Sequence, residues 1–98
     1  MKEFIRNGVP SVSISTVNFT TTGVVIQPPS VGRIYITDVI ATNSAITLTN
    51  ASSVTSGNVL AYVAQGNCNF SVPVRVPDLS GVAISTASAI GSINYFLE

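Results

Sequence analysis

The clearest hydrophobic pattern in the chain lies in 58–76. Its second part alternates strictly: Cys68, Phe70, Val72, Val74 and Val76 fall on one side, Asn69, Ser71, Pro73 and Arg75 on the other. That is the period of a half-buried strand, whose successive side chains point to opposite faces. The first part, 58–65, is apolar on both sides, which predicts a strand covered on both faces. Gln65-Gly66-Asn67 separates the two and reads as a short hairpin turn, where glycine supplies a positive φ without steric cost. The expectation is a central antiparallel hairpin that presents one apolar face to another layer.

The same period recurs along the chain. Val12, Ile14 and Thr16 alternate with Ser11, Ser13 and Ser15, giving a first strand, and 24–27 gives a second that Pro28-Pro29-Ser30-Val31-Gly32 ends. The longest unbroken candidate is 33–42, with Ile34, Ile36, Asp38 and Ile40 on one face and Tyr35, Thr37, Val39 and Ala41 on the other. Asp38 is the odd residue on an apolar face. A bulge could rotate it outward, it could be an inward charge that blunts an edge, or it could pair with Arg33 or Arg75. Asn43-Ser44 connects to 46–49, and 50–57 is the longest polar loop. Pro77-Asp78-Leu79-Ser80-Gly81 is a turn by composition, and 82–86 and 90–97 are the last strands. Short strands with turn signals about every 8–12 residues and no helical period predict an all-β, single-domain antiparallel sandwich or small barrel. A count of about eight strands favours a jelly roll, two four-stranded sheets face to face. A seven-stranded immunoglobulin-like sandwich competes, but the chain has one cysteine and no tryptophan to form the Cys…Trp…Cys pattern of that fold.

Residues 1–10 differ from the rest and read as an N-terminal arm, leaving 11–98 as the sandwich domain. The arm is charged, lacks a clean period and ends in Asn7-Gly8-Val9-Pro10, where Asn-Gly marks a turn and proline blocks ladder pairing. Phe4, Ile5 and Val9 would be wasted on solvent, so together with Arg6 they are the candidate contacts to this subunit or a partner. No apolar run at the start is long enough for a signal peptide or a membrane span.

Charge sharpens this picture. Charged residues are 8% of the chain, against about a quarter in ordinary domains. Lys2, Glu3 and Arg6 lie in the arm; Arg33, Asp38, Arg75, Asp78 and Glu98 are the rest. Ser, Thr and Asn must therefore supply the polar surface. The three Asn-x-Ser/Thr sequons, at Asn18, Asn50 and Asn69, follow from that composition. A formal net charge of zero argues against nucleic acid, whose backbone is bound by clustered lysine and arginine. The chain also has no basic face for anionic lipid, so no membrane partner is expected. Little net charge also means little self-repulsion, which favours homo-oligomers or a permanent partner.

Candidate chemistry is sparse. The chain has no histidine, so a Ser-His-Asp triad, a Cys-His dyad and the usual zinc sites are excluded. A carboxylate pair would have to be Asp38 and Asp78, which nothing in the sequence brings together. There is no Asp-x-Asp run for calcium and no glycine-rich phosphate loop. No enzyme, cofactor or metal is expected. Cys68 reads as a small inward hydrophobe. Tyr35, Tyr62 and Tyr95 could stack on sugar rings, but each falls in a predicted strand, where the ring packs inside and the hydroxyl reaches the rim.

Taken together, 32–43 (GRIYITDVIATN), 46–50 (ITLTN), 59–63 (VLAYV), 70–76 (FSVPVRV) and 81–86 (GVAIST) resemble the small β-sandwich proteins of tailed bacteriophage particles, in particular the capsid decoration or cement proteins. The likeness covers 24–97 and rests on strand order and character, with no signature motif. It implies a virion location, with many copies outside an icosahedral shell bridging neighbouring major capsid proteins. It carries no catalytic residues. A tail-tip or fibre domain that binds host-surface glycans is the other reading; it expects a cleft of exposed tyrosine and asparagine rimmed by 50–57.

Overall fold

The computed structural model describes residues 14–52, 56–86 and 88–98, with Ser56 and two short upstream strands described by backbone alone. In chain order the strands are β1 (Ile5–Arg6), β2 (Val9–Pro10), β3 (Ser15–Phe19), β4 (Gly23–Ile26), β5 (Ile34–Ala41), β6 (Ile46–Ala51), β7 (Ser56–Val63), β8 (Gly66–Arg75), β9 (Gly81–Ile84) and β10 (Gly91–Leu97). No helix occurs among the described residues. β1 and β2 pair only with each other, and the other eight form two four-stranded sheets, β3-β10-β5-β8 and β4-β9-β6-β7.

These orders have one origin. β3 lies beside β10, β4 beside β9, β5 beside β8 and β6 beside β7, so the chain is one long antiparallel hairpin folded at the β6–β7 connection. Winding that hairpin up brings β10 against β5 and β9 against β6, which completes both sheets. This is jelly-roll order, and it excludes the immunoglobulin-like alternative. The interior is built from β-branched and aliphatic side chains, among them Ile34, Ile36, Val39, Leu48, Val82, Ile84 and Ile93, with Phe19 at one margin. Each is worth roughly 1.5–3 kcal/mol when buried. An exposed ion pair contributes about 0–1 kcal/mol, so packing and not charge holds the sheets together.

Four details depart from expectation. First, β7 and β8 are not a hairpin: β7 pairs with β6 and β8 with β5, so Gly66, at φ 112°, carries the chain from one sheet to the other. A sandwich needs an inward face on each layer. An arch lets Val63 of β7 and Cys68 of β8 both face inward from opposite layers, where a flat hairpin would place both on one. Second, β7 is an edge strand and is not covered on both faces; Val59 and Tyr62 are exposed. Third, the first strand of the sandwich lies further along than the serine alternation suggests. Ile14 precedes it and is exposed, Val12 lies outside the described residues, and the inward side chains are Val17 and Phe19, opposite Ile93 and Gly91. Burying a phenylalanine ring over a glycine sets the phase of this strand.

The fourth departure is in β5. Ile36 pairs with Tyr95 and Asp38 with Asn94, so Thr37 is an extra residue and the strand bulges there. Beyond the bulge the faces exchange: Ile34 and Ile36 point inward, then Val39 and Ala41, while Asp38 is rotated out. Of the three readings of Asp38, the bulge is the one observed. On the other side of β5, Val74 pairs with Ile36 and Asn69 with Asp38, so the four residues 70–73 of β8 stand against Thr37 alone. That is why Val72 breaks the expected alternation and is 78% exposed.

The antiparallel alternation also sorts the connections. The start of β3, the end of β10 and the β4–β5, β6–β7 and β8–β9 connections share one end of the sandwich; the remaining connections share the other. The second end is neutral and closed by amide bonds. The Asn43 side chain donates to the Ser88 carbonyl at 2.7 Å and accepts from the Ile90 N–H at 3.1 Å.

Candidate interaction surfaces

Of the candidate contact residues in the arm, Phe4 lies outside the described residues, and for Ile5, Arg6 and Val9 only the backbone is described. β1 and β2 form an antiparallel ribbon with Arg6 opposite Val9 and Ile5 opposite Pro10. The ladder thus reaches the proline, which the sequence reading expected to block it. Pro10 closes the ribbon, where a missing N–H costs little.

The charged side chains among the described residues gather elsewhere. Arg33, Arg75, Asp78 and Glu98 all lie at the end of the sandwich from which the arm departs, and Asp38 is the one described charge away from it. Two proline-glycine loops build this end. In 77–80 the Ser80 N–H returns to the Pro77 carbonyl, and Leu79, at φ 57°, donates its N–H to the Gly32 carbonyl at 3.3 Å. Gly32 itself has φ 79°, and a Cβ there would strike the Glu98 carbonyl. So tight a crossing of loop and strand is why glycine stands at that position. Arg33 and Glu98 then exchange backbone hydrogen bonds of 3.1 and 3.0 Å, prolonging the β5–β10 ladder by one pair.

The result is an open groove of about 590 Å³ with Arg33, Tyr35, Asp78 and Glu98 on its walls and Val31 and Leu79 at its rim. Arg33 Nε meets Asp78 Oδ1 at 2.5 Å. Hydrogen bonds to the Tyr35 hydroxyl and, after it, to Asp78 hold the guanidinium above its ordinary pKa. Tyr35 also stacks on Phe96, ring centres 5.1 Å apart and planes 6° from parallel. The groove therefore presents a cation with one carboxylate bound to it, a second carboxylate, and one aromatic ring, that of Tyr35.

Asp38 belongs to a separate polar row on the outside of the same sheet. Its carboxylate accepts from Asn94 Nδ2 at 2.7 Å and from the Thr37 hydroxyl at 3.0 Å, and Asn94 Oδ1 accepts from the Thr16 hydroxyl at 2.6 Å. Asp38 and Asp78 thus bond different partners, and the structure does not bring them together as a pair. No family model, curated protein or solved structure matches this chain.

The three tyrosines separate. Tyr95 is half-buried against the interior, as expected of a rim tyrosine, and Tyr35 is half-buried on the outer face. Tyr62 contradicts the expectation: it is 78% exposed, because its strand is an edge and its phase points outward. It stands beside a depression of about 380 Å³ lined by Ala45, Ile46, Thr47, Val63 and Ala64. No asparagine lines that depression. Cys68 is half-buried and packs against the interior, less deeply than a fully inward residue. The charged groove is the feature that sequence reasoning missed. Its signal was the pair of loops PPSVG and PDLSG, which a jelly-roll order brings to one end.

Proposed function

We propose that this chain is a non-enzymatic structural protein of a phage particle, a decoration or cement protein on the outside of the capsid that bridges neighbouring major capsid proteins. The observation that supports it best is the division of the surface. Among the described residues every charge but Asp38 lies at the end from which the arm departs, while the open edges β7 and β8 carry exposed Val59, Tyr62 and Val72. Apolar side chains along unpaired strand edges suit contact with other protein by strand addition and burial. On this reading the arm, through Phe4, Ile5, Arg6 and Val9, anchors each copy. Many weak contacts repeated over a lattice, or within a homo-oligomer, then gain by avidity.

The test is binding of the purified chain to undecorated shells, followed by light scattering or co-sedimentation. Removing residues 1–10 should abolish decoration while the β-sheet circular dichroism is retained. Full occupancy by the truncated chain would sink the arm mechanism, and absence of binding by the intact chain would sink the capsid reading. Exposed Tyr62 beside its depression favours one second reading, a glycan-binding tail or fibre domain. There, glycan-array binding should be lost on Tyr62→Ala.

A further inference from the structure

β7 is the least guarded edge of the sandwich. The strands with an open side are β3, β4, β7 and β8. An edge strand is a template for another chain unless it is short, charged, kinked or interrupted by proline. β3 and β4 are 5 and 4 residues long. β8 carries Pro73 and Arg75 and widens at 70–73. β7 runs for 8 residues with neither proline nor charge. The whole β4-β9-β6-β7 sheet is like it, since none of its strands contains an ionised residue.

The side chains of this edge do not simply alternate. Leu48 pairs with Ala61 and Thr49 with Val59, so Leu60 is an extra residue and β7 bulges there. Leu60 and Ala61 both pack on the interior, whereas Val59 and Tyr62 are 47% and 78% exposed and stand outside. From 59 to 62 the faces run out, in, in, out, and they run the same in reverse. A regularly alternating strand laid along this edge is in phase on one side of the bulge and out of phase on the other. A second β7, antiparallel and related by a two-fold axis between Leu60 and Ala61, is in phase on both. It sets each Val59 opposite the Tyr62 of the other copy, an aromatic and β-branched cross-strand pair made twice. Charge favours the same occupant. A partner bringing ionised side chains to this seam would bury them without a counter-charge, a cost that a second neutral edge avoids.

We propose that two copies of this chain join through β7, edge to edge and antiparallel about that axis, so that their β4-β9-β6-β7 sheets become one continuous sheet. The contact is isologous, and it closes at two because each copy has a single β7 to give. This names the occupant of an edge that the capsid reading leaves open to any protein, and it needs no shell.

Sedimentation of the intact chain at rising concentration should show a monomer–dimer equilibrium that stops at the dimer. Val59→Lys and Tyr62→Glu each place an unpaired charge at the seam, and each should raise the dissociation constant by about tenfold or more with the circular dichroism unchanged. Mixing the two variants sets the new ammonium opposite the new carboxylate and should restore a dimer that neither forms alone. Val72→Lys, on the neighbouring edge, should leave association as it was. A chain that stays monomeric overturns the proposal, as does a dimer indifferent to both β7 substitutions. Loss in each variant without rescue on mixing overturns the pairing of Val59 with Tyr62, and growth beyond the dimer overturns the closed contact. Should a charged variant not fold, Val59→Thr combined with Tyr62→Thr is the second probe; it keeps strand-forming residues, removes the apolar pairs and should weaken the dimer, and unchanged association overturns the proposal. No shell is present in any of these measurements, so a negative result leaves the capsid reading standing.

Discussion

Thr49 holds a hydroxyl where the described chain offers it no partner. It lies in β6, opposite Ala83 and Val59, is 4% exposed, and its Oγ1 is buried without a hydrogen bond. An unpaired buried polar group costs about 1–3 kcal/mol. Thr49→Val removes the group and keeps the shape, so it should stabilise the fold by about 1 kcal/mol and raise Tm by about 4–8 °C. A lowered Tm would show that the hydroxyl is bonded in solution. Gly91 has the opposite sign. A Cβ there would collide with the Ile40 carbonyl and press on the Phe19 ring, at a position flanked by strands on both sides. Gly91→Ala should cost about 1–3 kcal/mol, read from denaturant midpoints. At the β5 bulge, Asn94→Ala leaves the Asp38 carboxylate with Thr37 as its remaining described donor. Because the site is only half-buried, the expected loss is about 1 kcal/mol.

At the scale of elements, β8 shows how alternation can mislead. Val72 and Val74 look equivalent in the sequence, yet Val72 rides on the expanded turn opposite Thr37 and Val74 packs on the interior. Val72→Ser should therefore stay within about 0.5 kcal/mol of the parent, while Val74→Ser should lose clearly more. Equal losses would show that the bulge closes in solution. The existence of the strands was legible because period two is a local property of a half-buried strand. Most of their positions followed from it, from Ile34–Ala41 through Gly91–Leu97. Phase was not, since one extra residue at Thr37 exchanges the faces of everything after it and leaves no local mark. Pairing was not legible either. Gly66 permits a hairpin and an arch equally, and only the need to supply both layers with inward faces decides between them. The charged groove depends on that pairing, since residues 28–32, 77–80 and Glu98 are distant in sequence.

For the whole molecule, β10 is the strand that closes the fold. It lies between β3 and β5, so the first and last strands of the sandwich must meet before that sheet exists. Deleting 91–98 should leave an unfolded chain by circular dichroism, whereas deleting 1–10 should not. Folding should also be slow, milliseconds to seconds by stopped-flow, because pairings that span the chain must be closed first.

The two unlike ends of the sandwich make the molecule directional. Thr20, Thr21 and Thr22, between β3 and β4, are exposed and lie at the neutral end, opposite the arm. A foreign peptide spliced in after Thr21 would be carried on the face of the molecule turned away from the charged groove, clear of anything that groove contacts.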